Sequence, residues 1–308
     1  MQLLNVRNLT KQYSENCIAV NNISFSLERG EVLGILGSNG AGKTTTIHML
    51  LDLLTPTSGT ITYFGKNFHK NRSESLQKIG FATTYARLPG HMTVYENLDI
   101  YGRLYGLNAH QRKTKITELL TMLEVIDLQN RQAGELSAGE TTRVILAKAF
   151  LADPEIVLLD EPTASLDIDI AQAIREFICH QRDKGVSFLL TSHNMHEMTQ
   201  VCDRIIVMQN GTILADSTPQ QLAGNVSHAF LQLVLDDQQL EASIAYAERT
   251  NTNYQTLGPT ITFEIDEHAV AQTLINLAQN GITYTQISIK KPTLEDYFLS
   301  ITQKGKRL

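Results

Sequence analysis

Apolar and polar residues alternate from Leu3 to Leu9 and again from Ile23 to Leu27, and the run Val32-Leu33-Gly34-Ile35-Leu36 that follows is apolar throughout. Alternation marks strands with one wet face, and a short unbroken apolar run marks a strand buried on both faces. The chain therefore predicts antiparallel strands leading into a central one. A helix is predicted from Thr45 to Leu54; Thr55-Pro56-Thr57-Ser58-Gly59 breaks it, and Thr60 to Phe64 reads as a strand. Between about 90 and 135 the period becomes helical, with Ile116, Leu119, Leu120 and Leu123 on one face and Gly102 and Gly106 as interruptions. Beyond 140, helices alternate with the buried runs Ile156-Val157-Leu158-Leu159 and Ser187 to Leu190, and Ile205 to Met208 turns at Asn210-Gly211 into Thr212 to Ala215. Such alternation predicts a mainly parallel sheet between layers of helix.

A boundary is predicted near 225, past Ser217-Thr218-Pro219, with one domain over 1–224 (helical part about 90–150) and a second over 225–308. The second reads strand (Ala229 to Leu235), helix (Gln238 to Arg249), strand (Tyr254 to Leu257), strand (Thr260 to Ile265), helix (His268 to Gln279), strand (Ile282 to Ile289) and a final helix from Thr293. Without that last helix the order is β-α-β-β-α-β, the split ferredoxin-like arrangement.

Composition narrows the class. The chain has 308 residues, room for about two domains. A net charge of −6 and a pI near 5.9, with no long basic block, argue against a nucleic-acid coat; Arg112-Lys113-Thr114-Lys115 reads as a solvated helix face. Cys17, Cys179 and Cys202 have neither metal-ligand nor paired spacing and read as reduced thiols. The first residues, Met1 to Arg7, show no apolar core or cleavage site, so a secretory leader is not expected, and no apolar run approaches the ~18 residues of a membrane span. A cytoplasmic protein is expected.

Gly37-Ser38-Asn39-Gly40-Ala41-Gly42-Lys43-Thr44, with Thr45 next, fits the phosphate-loop pattern G-x-x-x-x-G-K-[ST] between a predicted strand and a predicted helix. Glycines let backbone N–H groups curl round phosphate oxygens, a lysine neutralises the terminal phosphates and the Thr44 hydroxyl suits Mg²⁺. A nucleoside triphosphate is the expected ligand.

Four further patterns follow in order. Ser137-Ala138-Gly139-Glu140 has capping-box spacing, either a plain helix start or a helix end free to meet an anion. Ile156 to Glu161 is a buried strand ending in two acids; in open parallel sheets ligands bind beyond strand C-termini, so Asp160 would hold Mg²⁺ and Glu161 would polarise the attacking water. Ala164-Ser165-Leu166-Asp167 is a turn into a helix. Phe188 to His193 is another buried strand, ending in a histidine that is either structural or catalytic.

Together these residues resemble the nucleotide-binding domain of ABC transporters over roughly 1 to 222: Walker A at 37–44, a signature at 136–140, Walker B at 156–161, a D-loop at 164–167 with Asp167, and the switch His193. The resemblance implies a P-loop NTPase α/β core with an antiparallel β subdomain and a helical insertion, plus the small C-terminal α+β domain. It also implies ATP and Mg²⁺ (Thr44, Asp160) as cofactors and a head-to-tail dimer with a second copy or close cousin. One subunit would supply Lys43, Thr44, Asp160, Glu161 and His193, and the other Ser137 and Gly139. Tyr13 sits where the family stacks an aromatic on adenine; the other reading is a core tyrosine. Two positions depart from the family: the signature reads Ser-Ala-Gly-Glu, and Thr84 stands where the Q-loop glutamine would be. Lys291-Pro292-Thr293-Leu294-Glu295-Asp296-Tyr297-Phe298-Leu299 resembles the terminal segment of drug- and lipid-exporter ATP-binding subunits, and reads equally as an amphipathic closing helix. The expectation is an ATPase that docks through about 84–100 onto a separate membrane permease, peripheral on the inner face of the membrane, with no nucleic-acid partner. Its rivals are a soluble ABC ATPase acting on ribosomes or DNA, and an ATP-sensing regulatory module.

Overall fold

The computed structural model of the protein describes residues 1–84, 86–225 and 228–304, and divides into two compact units, Met1–Pro219 and Gln220–Leu308. In the first unit β1 (Gln2–Ser14), β2 (Cys17–Glu28), β3 (Val32–Leu36), α1 (Lys43–Leu50), β4 (Ser58–Tyr63), β5 (Lys66–Asn67), α2 (Arg72–Leu76) and β6 (Ile79–Thr83) come first. The helices α3 (Val94–Leu104), α4 (Ala109–Met122) and α5 (Ala138–Ala149) follow, then β7 (Ile156–Asp160), α6 (Ile168–Asp183), β8 (Ser187–Ser192), α7 (Met195–Val201), β9 (Arg204–Gln209), β10 (Thr212–Ser217) and α8 (Pro219–Gly224) at the boundary.

The main sheet has the order β10-β9-β3-β8-β7-β6, parallel except for β10, which returns antiparallel to β9. Every residue of β3, β7 and β8 is buried, as continuous apolar runs between helical layers require. A second, antiparallel sheet of order β2-β1-β4-β5 carries the alternating residues. Its Leu4, Val6, Leu27 and Tyr63 share one core with Ile47 and Leu50 of α1 and Leu33 and Ile35 of β3. That shared core fixes the phosphate loop between two sheets. The helices of the insertion begin on capping boxes, Thr93 with Glu96, Asn108 with Gln111 and Ser137 with Glu140, each satisfying N–H groups that a helix start leaves unpaired.

The predicted helix to Leu54 stops at Leu50. Asp52 turns left-handed (φ 56°), and the Leu53 and Leu54 N–H groups fold back onto the His48 carbonyl. In the second unit β11 (His228–Val234), α9 (Asp237–Thr250), β12 (Asn253–Leu257), β13 (Thr260–Asp266), α10 (Val270–Gln279), β14 (Gln286–Lys290) and α11 (Leu294–Lys304) form an antiparallel sheet of order β12-β13-β11-β14, the ferredoxin-like order. The strand expected from Ile282 begins only at Gln286: the Ile282 N–H closes α10 on the Leu277 carbonyl at 3.0 Å, and its side chain is buried with that helix.

Candidate functional site

The loop from Gly37 to Gly42 joins the end of β3 to the start of α1. Gly37, Ala41, Gly42 and Lys43 are buried, Thr45 is half-buried, and Ser38, Asn39, Gly40 and Thr44 face outward. Gly42 stands at φ 104°, where a Cβ would lie 2.5 Å from the Ala19 carbonyl oxygen, so only glycine fits. Gly40 is also left-handed, at φ 82°, but open on its Cβ side. Lys43 Nζ donates to the Gly37 carbonyl at 2.7 Å and lies 3.4 Å from Glu161 Oε1.

The sheet register brings the acids to the same edge. Asp160 closes β7 beside Thr191 of β8, and the Thr191 hydroxyl donates to Asp160 Oδ1 at 2.6 Å. Thr44 Oγ1 is 3.3 Å from the same oxygen. Hydroxyl and carboxylate oxygens are the donors Mg²⁺ prefers, so this pair fits the ion. Glu161 follows with a left-handed backbone (φ 53°), unusual for a residue with a side chain; its N–H is shared between the Thr191 carbonyl and hydroxyl, both at 3.1 Å. His193, one residue beyond β8, puts Nδ1 2.8 Å from Glu161 Oε2. With the carboxylate accepting, His193 holds its proton on Nδ1 and presents Nε2 outward. Thr191 thus braces both acids. Sequence reasoning passed over it, although its place two residues before His193 in a strand beside the acidic one was a usable signal.

The other expected residues stand apart from this cluster. Ser137 caps α5, its Oγ accepting the Glu140 N–H at 3.3 Å while Glu140 Oε2 accepts the Ser137 N–H at 2.7 Å. That backbone hydrogen bond, helped by Arg131 and Arg143 nearby, holds the Glu140 carboxyl below the usual glutamate range. Ala138 is exposed, whereas Gly139 is buried against Ile170 of α6, whose Cδ1 would be 2.4 Å from a Cβ. Asp167 is the exposed N-cap residue of α6 and makes no side-chain capping bond. Tyr13 is 57% exposed near the end of β1, with Lys11 Nζ 5.3 Å from its ring centroid, so the core-tyrosine reading is set aside. Thr84 follows β6, whose Thr83 is in register with Asp160, and so lies at the same sheet edge. In the stretch 84–100, residue 85 lies outside the described residues.

The family model for ABC transporters matches residues 20–164. Nod factor export ATP-binding protein I of Burkholderia orbicola is 31% identical over 97% of this chain and 96% of its own length. The chain belongs to the ABC transporter ATP-binding proteins. The bacitracin transport ATP-binding protein BcrA of Bacillus licheniformis is 31% identical over 98% of both chains, and the ATP-binding protein NatA of Bacillus subtilis is 41% identical over 64% of this chain and 80% of its own. Among solved structures, an ATP-binding subunit of an ABC transporter superposes with a TM-score of 0.67 at 26% identity, over 72% of this chain and 92% of its own. This ABC ATPase binds and hydrolyses ATP. Among its described residues no helix is long and apolar enough to cross a membrane.

Proposed function

We propose that the chain is the ATP-hydrolysing subunit that powers export through a separately encoded permease, closing on ATP as a head-to-tail dimer at the inner face of the membrane. The name of one relative, for Nod factor export, supports the direction of transport, and that of another, for bacitracin transport, supports a transport role. The observation that carries the catalytic reading is the meeting of Lys43, Glu161 and His193 at one sheet edge, where loop, acid and histidine come from three different segments.

In this reading the backbone N–H groups of Gly37 to Thr45 and the Lys43 ammonium hold the phosphates, while Tyr13 offers an exposed face to adenine. Thr44 and Asp160 would hold Mg²⁺, which spreads the charge of the phosphate oxygens when bound. Glu161 orients and deprotonates the attacking water, and His193, anchored by its Nδ1, directs Nε2 toward the γ-phosphate. Lys43 and Glu161 neutralise one another across 3.4 Å, so engagement of the lysine by phosphate releases the carboxylate for its work. Ser137, Ala138, Gly139 and Glu140 of the partner present a capped helix end to the γ-phosphate, and Asp167 carries the contact across the seam. Cleavage removes the anion that faces that end, and the dimer reopens. The unit Met1–Pro219 is then the nucleotide-binding domain and the C-terminal unit an accessory domain.

Complementation tests the composite site. Lys43→Ala disables one half of each site and Ser137→Arg the other, so each chain alone should be inactive. Mixed, they should regain turnover, because a mixed dimer keeps one site with both halves intact. A mixture as inactive as its components would remove the head-to-tail arrangement.

A further inference from the structure

We propose that Glu197 is a positioning residue that ties the turn carrying Glu161 to the strand end carrying His193, and that it sets turnover through that pair. The proposal rests on the roles given above to Glu161 and His193.

Glu197 lies in the first turn of α7 and is only 3% exposed. A buried carboxylate is costly unless its oxygens are fully engaged, and among the described residues this one forms no ion pair. Were the position there for packing alone, an apolar side chain such as its neighbour Met198 would serve at lower cost. Instead its two oxygens are divided between two segments. Oε1 accepts the Thr163 hydroxyl, and Oε2 accepts the Ser192 hydroxyl at 2.9 Å.

Thr163 sits two residues past Glu161, in the turn that Ala164 closes by donating its N–H to the Glu161 carbonyl at 3.2 Å. Ser192 immediately precedes His193. Asn194, immediately after it, donates its N–H to Ser192 Oγ at 3.0 Å and accepts the Glu197 N–H on Oδ1 at 3.2 Å. Glu197 therefore holds both neighbours of His193, Ser192 through Oε2 and Asn194 through its own N–H, and holds the Glu161 turn through Oε1. Among the described residues the exposed imidazole shares no hydrogen bond with Glu197; its 2.8 Å approach to Glu161 is set by the frame on either side. The turn continues through Ser165, left-handed at φ 62°, to Asp167. A displacement of that turn is thus transmitted through Thr163 and Glu197 to the histidine's strand.

The test uses the full chain, measuring kcat, KM, equilibrium ATP affinity and thermal unfolding for Thr163→Val, Thr163→Ser, Glu197→Met, His193→Ala and the double variant Thr163→Val/His193→Ala. Thr163→Val and Glu197→Met should lower kcat about tenfold with KM and ATP affinity within about twofold, and Thr163→Ser, which keeps the hydroxyl, should restore the rate. In the His193→Ala background Thr163→Val should cost less than about twofold more, because both changes act through the same pair. If the two losses multiply in full, or if ATP affinity falls in step with kcat, the proposal is overturned while the role of His193 stands. A His193→Ala chain that turns over like wild type would instead remove the role of His193, and the proposal with it. Thr163→Val also guards the test against loss of folding in Glu197→Met, since it removes one arm and leaves the buried carboxylate bonded to Ser192.

Discussion

Replacing Glu161 by glutamine changes a single oxygen, and the structure says what survives. The left-handed backbone at φ 53° and the N–H bonds to Thr191 are main-chain features and remain. The 2.8 Å contact to His193 remains available to the amide oxygen, and Lys43 keeps the Gly37 carbonyl at 2.7 Å. Lost are the negative charge 3.4 Å from Lys43 and the ability to take a proton from water. Removing a general base costs about 10²- to 10⁴-fold in rate, or about 3 to 5 kcal/mol of barrier. The lysine, no longer shared with a carboxylate, should grip phosphate at least as well as before. Glu161→Gln should therefore show single-turnover ATP hydrolysis slowed by about two to four orders of magnitude, with equilibrium ATP affinity unchanged or tighter. Light scattering with ATP should show closed dimers accumulating. Hydrolysis within about threefold of wild type would refute Glu161 as the base, since that is far less than a base contributes; a parallel loss of ATP binding would refute the claim that charge, and not architecture, was removed.

Two other substitutions probe the frame. Gly42→Ala combines left-handed strain of about 1–2 kcal/mol with a Cβ 2.5 Å from a main-chain oxygen, whereas Gly40→Ala, equally left-handed, meets nothing within 4 Å. Urea unfolding should rank Gly42→Ala clearly below Gly40→Ala, and ATP affinity of Gly42→Ala should fall at least about tenfold; equal stabilities would contradict the clash. Glu155 accepts from Lys78 at 2.9 Å and pairs with Arg29, and the Lys78 hydrogen bond, opposed by partial burial, keeps its carboxyl below the usual glutamate range. A depressed carboxyl contributes stability above its unfolded value and loses it as pH falls through the folded one. Glu155→Gln should thus cost about 1 kcal/mol at neutral pH and nothing once pH is well below about 4, as read from urea midpoints; a gap that stays constant to pH 3 would rule the linkage out.

What the sequence disclosed follows from where the physics is local. The alternation of Ala229, Leu231, Leu233 and Leu235 is visible in one dimension because burial on one sheet face enforces it, and these residues are buried as that period demands. The strand end at Asp160 and the capping box at Ser137 are legible for the same reason. Ile282 was misleading: an apolar residue after a glycine reads as strand, yet it is spent closing α10. Glu197 and Thr163 were illegible because they matter through each other across a long stretch of chain, and hydroxyls and buried carboxylates carry no period that announces such a pairing; Thr191 had its place in the strand beside the acidic one to mark it. Gly139 was read for closeness to phosphate, while its packing on Ile170 is a tertiary fact that no local pattern contains.

The two departures from the family pattern differ in kind for a structural reason. At Glu140 the cap needs an acceptor for the Ser137 N–H, and a carboxylate supplies it at 2.7 Å as an amide oxygen would. The added charge lies in the first turn of α5, where a helix favours an anion, and Arg131 Nη1 is 3.6 Å away to offset it. The geometry of the helix end is therefore preserved, and the substitution is absorbed locally. At Thr84 no such equivalence exists. A threonine hydroxyl is held close to the main chain, two bonds short of the reach of a glutamine amide, so it cannot span from the end of β6 to the same distance beyond the sheet edge. The groups proposed to hold phosphate lie on the loop from Gly37 to Thr45 and are untouched by that shortening. The groups proposed to orient water lie at the edge shared by β6, β7 and β8, and are the ones such a shortening would affect. The departure should accordingly weigh on turnover and its coupling to the proposed permease, while nucleotide grip stays with Lys43 and the loop around it.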